Sequence, residues 1–517
     1  MNDREPQRGA TKWIDRGIVA CLFLFAAFAP HSIAVTQGAW LLGMLLWVAR
    51  FAFYPHPRTY RTPLDYALLG FFILTGLSAA LSYEPLVSVG KLRAATLFTI
   101  VYLVAENVPS LALARLLALT LIASSLVNVM YVMGQEVLGR GVKVAGVQAE
   151  SPLARAMTVP RTTARPLPIA TGDTIFEVDG KKINSTEELA AALAAAPKAE
   201  TAKVRIYRVE WTPTVEVPRG RLLPGTTAEE QLGISGWSRG RDWRAVGFFG
   251  HWTTYAESLQ LIASLALGLF LACPFKRSRL GWGLLLAVVG LVGALALSVT
   301  RASWVALLIS AALMLLLSAQ RRTIVLAAAC VIPVGVAGLF FLHEKRSVGF
   351  FDSKDLSTTW RETVWREGFN LLVSKPRHLL VGVGMDSIKG HWRQWGLFDG
   401  GRLPVGHMHS NPLQIALERG VPALLAWLWL LGSYAWLLWK ALRQITTVQV
   451  DAELNSKFQI LNSKFSWLDR GILLGALGGL VGFFVSGLVH YNWGDSEVVM
   501  IVYLIMGLSL VIERELK

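Results

Sequence analysis

The sequence predicts an all-α polytopic membrane protein of about twelve transmembrane helices, with a small α+β insertion outside the membrane. Three observations predict it. Hydrophobic residues make up 53% of the 517 and charged residues only 16%, against roughly 25% charged in a soluble chain. Apolar runs of about 20 residues, the length that crosses a bilayer core, recur along the chain. The net charge of +15 sits in short basic clusters between those runs. That is the pattern of loops held on the cytoplasmic side rather than of a nucleic-acid surface.

The apolar runs place spans near 17–34, 36–53, 64–82, 91–106, 111–135, 251–273, 280–299, 302–318, 323–342, 414–439, 471–490 and 495–512. The first follows Arg4, Arg8, Lys12 and Arg16 and reads as an uncleaved first span. The fourth is the weakest, because Lys91 and Arg93 open it. The clusters Arg50 to Arg61, Lys276 to Arg279, Arg321-Arg322, Lys440 to Lys464 and the tail Glu513 to Lys517 share the side of the N-terminus. An even number of spans then puts both termini in the cytoplasm and two long polar segments, about 136–250 and 343–413, outside. A Gram-negative periplasm is the natural compartment for these segments, though composition alone does not separate it from other extracytoplasmic faces. Cys21, Cys273 and Cys330 lie in apolar runs without a CxxC, which supports neither a disulfide framework nor a metal knuckle.

The first outer segment reads as a domain. Gly172 to Ile183 alternates apolar and polar residues about Asp179-Gly180, the signal of a β-hairpin. Ser185 to Glu188 reads as a capping box opening a helix. Val204 to Val209 alternates again and closes the unit. The stretch resembles a bacterial PDZ domain: Gly146 to Ala156 is similar to that family's "V-x-P-G-S-P-A-x-x-A", and Gly172 to Gly180 to its "G-D-x-I-x-x-V-D-G". The resemblance implies a carboxylate-binding loop at Leu138-Gly139-Arg140-Gly141-Val142 and a protein partner taken by added-strand pairing. A spacer or docking module is the alternative. The domains expected are thus 1–137, helical; 138–215, PDZ-like; 216–342, helical; 343–413, the second outer segment; and 414–517, helical.

In the second outer segment, Thr359 to Glu362 reads as a capping box. Trp360, Val364, Trp365, Gly368, Leu371 and Leu372 make one helix face, which favours the membrane interface. Arg361 and Trp365 share a side at i,i+4.

Candidate chemistry sits at the outer boundary. Arg301 lies between two apolar runs, Arg244 precedes the sixth span, and Arg361 lies on the interfacial helix. An arginine at mid-membrane costs roughly 2.5–3.5 kcal/mol. A guanidinium–phosphate pair at about 4 Å returns roughly 4 kcal/mol at an effective dielectric near 20, through two parallel N–H bonds. Three boundary arginines therefore fit an anionic ligand such as a diphosphate better than three separate snorkelling anchors. His407 and His409 end the polar segment directly before a span. Their i,i+2 spacing and the lack of an Asp, Glu or Cys set beside them argue against a metal site. A structural histidine and a general base remain for His409, since neutral imidazole accepts a hydroxyl proton at neutral pH.

These residues together resemble the O-antigen ligase and O-unit polymerase family, the lipid-linked-glycan transferases of the bacterial envelope. The ligase signature runs as His, then Asn, Ser or Gln, nine residues, Gly, two residues, and Gly, Thr or Tyr. Here it reads His409-Ser410, nine residues, Gly420-Val421-Pro422-Ala423, with Ala423 departing at the last place. Asn411, Gln414 and Glu418 fit the family's "H-N-x-x-Q-x-x-x-E-x-G" pattern. Arg244, Arg301 after Thr300, and Arg361 before Trp365 resemble three further signatures.

The resemblance implies a metal-independent, inverting glycosyltransferase without a cofactor, its active site on the periplasmic face. Arg244, Arg301 and Arg361 would hold the diphosphate of an undecaprenyl-diphosphate-linked glycan, and His409 would deprotonate the acceptor. His407, Ser410, Asn411, Gln414, Glu418 and Trp365 would support them. The acceptor implied is a lipid A-core sugar, with membrane lipids around the protein. A polymerase or a protein O-oligosaccharyltransferase would use the same machinery, and a lipid-linked-glycan transporter or a non-catalytic scaffold would be different classes.

Overall fold

The computed structural model describes residues 4–57, 59–159, 165–195, 200–208, 212–241, 243–318, 356–455 and 465–517. The expected span at 323–342, the pair Arg321-Arg322 and Cys330 lie outside them. The described residues fall into two compact units, one of residues 4–129, 246–318 and 356–517, the other of residues 130–245.

The first unit is helical. Among the described residues nine helices are long and apolar enough to cross a membrane, and Asp65–Ala80 is apolar but shorter. The chain is therefore a polytopic membrane protein. Trp252–Ala272 and Trp467–Gly487 are largely buried and cross at glycines. A Cβ on Gly268 would lie 2.3 Å from the backbone nitrogen of Gly475, so only glycine permits this approach. Asp469, fully buried, accepts from Arg115 Nε at 2.8 Å and Nη2 at 2.6 Å. This bidentate pair ties Trp467–Gly487 to Leu111–Leu138.

The fourth expected span lies within Pro85–Asn107, one of the nine, which carries a 3-10 turn at Thr96–Phe98. Two expectations are corrected here, on the tenth span and on the second outer segment. The tenth does not begin at 414. A short helix, Asn411–Arg419, ends at Gly420, whose φ of 85° and 2.4 Å Cβ approach to the Leu380 carbonyl oxygen demand glycine. The long helix Val421–Asn455 follows. The helix of the second outer segment does not start with a cap at Thr359. It runs Leu356–Val373, and Thr359 is inside it, its carbonyl accepting from Thr363 Oγ1 at 3.1 Å.

The second unit is built on one antiparallel sheet of β1 (Arg140–Val147), β2 (Met157–Thr158), β3 (Thr174–Val178), β4 (Lys181–Lys182), β5 (Thr201–Tyr207), β6 (Thr214–Pro218) and β7 (Ile234–Gly240). The order is β2-β6-β5-β3-β1-β7, with β4 on β3. Asp179 and Gly180, at φ 48° and 81°, make the hairpin turn the sequence announces. Ser185 caps the helix Thr186–Ala194 by accepting from Glu188 N at 3.3 Å. Val142, Val144, Ile175, Leu189, Val204 and Ile206 form the core beneath.

Candidate active site

The loop carrying His407 and His409 is fixed by its neighbours rather than by regular structure. Met408 N donates to Gln414 Oε1 at 2.6 Å, and Trp365 Nε1 donates to the Met408 carbonyl at 2.8 Å. Gly368 lets the loop close down, since a Cβ there would lie 2.7 Å from Met408 Sδ. The apolar face of Leu356–Val373 thus covers this loop: Val364, Leu371 and Leu372 pack with Met408 and Leu417. The expectation that this face seeks the membrane interface is corrected, because it is used up in the unit's own core.

Ser410 precedes the Asn411–Arg419 helix without capping it through its side chain. Asn411, fully buried, donates to Asn492 Oδ1 at 2.5 Å and accepts from Trp493 N at 3.1 Å. Glu418 accepts from Asp386 N at 3.0 Å and from Tyr491 Oη at 3.3 Å. Trp365, Asn411, Gln414 and Glu418 therefore brace the histidine loop.

His409 takes φ 47°, a left-handed conformation that a non-glycine residue holds only at a cost of about 1–3 kcal/mol when its surroundings impose it. His409 N donates to His407 Nδ1 at 3.2 Å, and the two rings lie 4.0 Å apart. Trp360 meets the His409 ring edge-on at 4.4 Å. The left-handed residue folds the two rings onto one another.

Burial pushes the His409 imidazole down to about 2, with the neighbouring His407, His490, Arg361 and His251 acting in the same direction. Burial likewise holds His407 at about 4, with His490, Lys389 and His251 adding to it. Both rings are thus neutral at physiological pH, and each has a lone pair.

Sequence reasoning missed part of this cluster. Glu257, fully buried on the Trp252–Ala272 helix, lies 2.8 Å from His490 Nδ1. The same carboxylate accepts from Ser486 Oγ at 2.6 Å, Asn492 Nδ2 at 3.1 Å and Ser303 Oγ at 3.2 Å. With every partner a donor, His490 carries its proton on Nδ1 and keeps Nε2 for another partner. The signal was present: Glu257 is the only acidic residue in the expected span 251–273, and an ionisable group in a span marks a site. Beside His407 opens a cavity of about 230 Å³, lined among others by Lys91, Asp386, Lys389, Arg419, Tyr491 and Asp495. Burial raises Asp495, which accepts from Thr254 Oγ1 at 2.9 Å, to about 6.

The three expected arginines are placed differently. Arg361 lies next to Trp360 on the helix over the loop and within electrostatic reach of His409. Arg301 is half-buried at the first position of Arg301–Ser318, two residues before the Ser303 that donates to Glu257. Arg244 is half-buried in the other unit, one residue from its end.

A helical, polytopic membrane unit that buries histidines beside arginine, with a sheet domain inserted between its helices, defines a membrane-embedded protein with a charged polar site. Residues 285–428, which include Arg301, Arg361 and His409, match the family model described as O-Antigen ligase. Residues 125–218 match the model of the PDZ domain. Both matches agree with the resemblances the sequence carries. No curated protein matches it.

Proposed function

We propose that this protein is a glycosyltransferase of the O-antigen ligase type, which moves a glycan from undecaprenyl diphosphate to an acceptor hydroxyl on the periplasmic face of the inner membrane. The observation that carries the reading is Arg361 within electrostatic reach of a half-buried His409 whose ring meets Trp360, inside the segment that matches the O-Antigen ligase model. Arg301 and Arg361 hold the diphosphate and match its growing charge as the bond to the sugar breaks. His409 takes the acceptor's proton, the hydroxyl oxygen bonds to the anomeric carbon from the opposite face, and the diphosphate leaves with the bonding pair. The configuration inverts.

A pKa of about 2 makes His409 a weak base in the empty site. The causes are burial and positive neighbours, and a bound diphosphate supplies the opposite charge. Donor binding thus raises the basicity of His409 at the moment it is needed. The acceptor enters through the cavity beside His407, where Lys91, Asp386 and Lys389 offer polar contacts to a sugar. A lipid A-core sugar is the acceptor proposed. A protein acceptor is the second reading, and it needs the PDZ-like domain to have an open peptide edge.

The test is transfer by the purified protein in detergent, with a synthetic undecaprenyl-diphosphate oligosaccharide and lipid A-core. Transfer supports the reading and rules out transport as its explanation. A deletion strain that keeps long chains on lipid A-core contradicts the ligase assignment, and one limited to a single repeat points to a polymerase.

A further inference from the structure

A PDZ domain takes an extended peptide as an added strand beside the strand that follows its carboxylate-binding loop. Here that strand is β1, and neither edge of it is open. β3 pairs with one edge at Val142↔Ile175 and Lys143↔Thr174. β7 pairs antiparallel with the other: Arg140↔Gly240, Lys143↔Ser238, Val144↔Trp237, Ala145↔Gly236 and Val147↔Ile234. β7 lies beyond residue 218, where the match to the PDZ domain ends.

The rest of the segment is seated like a ligand. Ile234 is buried in the domain core and Trp237 packs against it. Gln148 N donates to the Gly233 carbonyl at 2.8 Å, and Ser151 Oγ to the Leu232 carbonyl at 2.5 Å. The short helix Ala228–Leu232 before β7 is tied to the N-terminus of Thr186–Ala194 by Thr186 Oγ1 donating to Glu229 at 2.8 Å. Gly146 permits the approach of the two strands, since a Cβ there would fall 2.0 Å from Ser235 Oγ.

The carboxylate-binding loop is engaged as well. Gly139 N donates to the Gln135 carbonyl at 2.9 Å, and Gly141 N to Asn184 Oδ1 at 3.4 Å. The Arg140 guanidinium lies over the rings of Phe176 and Trp243, at 4.3 and 5.0 Å.

We infer that the peptide-binding edge of this PDZ domain is filled in cis by the chain's own residues 234–240, with Ile234 and Trp237 as anchors. The domain is a self-liganded clamp. A foreign extended peptide enters only when β7 leaves. This does not rest on the proposed enzymatic function, and it removes the support that the domain lends to a protein acceptor.

The test uses the full-length protein in detergent with its three native cysteines replaced by alanine. Lys143→Cys and Ser238→Cys sit directly opposite in the antiparallel pair. Such positions are about 4.5–5.5 Å apart at Cα, within disulfide range. The pair is expected to close within one chain under mild oxidation. A fluorescein-labelled peptide of residues 230–240 is expected not to bind the wild-type chain. It is expected to bind the Ile234→Ser/Trp237→Ser variant, whose changes lie outside the matched domain. Failure of the cysteine pair to close overturns the inference, as does peptide binding to wild type at the affinity of the variant. The disulfide needs no loss of strand packing, so the inference stays open to refutation even where the double serine change perturbs folding.

Discussion

His490 Nδ1 and Glu257 Oε1 lie 2.8 Å apart with both side chains buried, which makes His490 the imidazole of the site oriented by a carboxylate. Glu257→Gln puts an amide donor among groups that all donate. Hydrogen bonds to a charged group contribute about 1.5–3 kcal/mol, so kcat should fall roughly 10–100-fold. Donor affinity should hold, because on the proposed reading arginines carry the diphosphate. Steady-state rates and donor titration check this, and wild-type kcat in the variant would leave the pair a purely structural role.

The pair Arg115–Asp469 makes a separate stability prediction. Removing one partner of a buried ion pair costs about 3–5 kcal/mol, because the other charge stays buried alone. Arg115→Ala should lower the unfolding midpoint in detergent clearly. Arg402→Ala, whose partner Asp399 is half exposed and which is itself 82% exposed, should shift it little. Equal midpoints for the two variants would contradict the account.

Much of the fold was legible, and the reasons for the remainder are local. Apolar length located most membrane helices, and Asp179-Gly180 announced its hairpin. Hydropathy could not see the break at Gly420, which is set by backbone approach to Leu380 and not by polarity. Nor could it separate a face packed on Met408 from one facing lipid, since both are apolar. Of the groups the structure brings near one another, His409 and Arg361 were singled out in the sequence. Glu257 and His490 were not, because they are 233 residues apart and meet only in three dimensions. The occupied PDZ edge was hidden because β7 carries no PDZ signature.

Arg301→Lys keeps the charge and loses the planar fork, so transfer should drop at least about tenfold, the equivalent of 1.4 kcal/mol. Arg301→Ala should be worse, with insertion unchanged. Turnover of lipid-linked donor measures both. An alanine variant at the wild-type rate would leave Arg301 as a boundary anchor.

The pH profile follows from the depressed pKa of His409. A lowered value means the ring stays neutral until pH falls through it. On that account kcat/KM, which reports the free protein, should not decline between about pH 8 and pH 5. On the proposed reading a bound diphosphate would raise the value in the complex, so the acid limb of kcat should lie at higher pH than that of kcat/KM. An acid limb near the ordinary value of about 6.5 in kcat/KM, assigned to His409, would refute this environment.

The central claim is that His409 removes the acceptor's proton while arginines hold the donor. Positioned general bases contribute about 10²–10⁴-fold. The direct measurement is donor binding against turnover in His409→Ala, with His407→Ala alongside. The account predicts that His409→Ala inserts and binds the undecaprenyl-diphosphate glycan with wild-type affinity, yet transfers at least about 100-fold more slowly, with a smaller loss in His407→Ala. Loss of donor binding together with turnover in His409→Ala would contradict it, as would His407→Ala being the more damaging change.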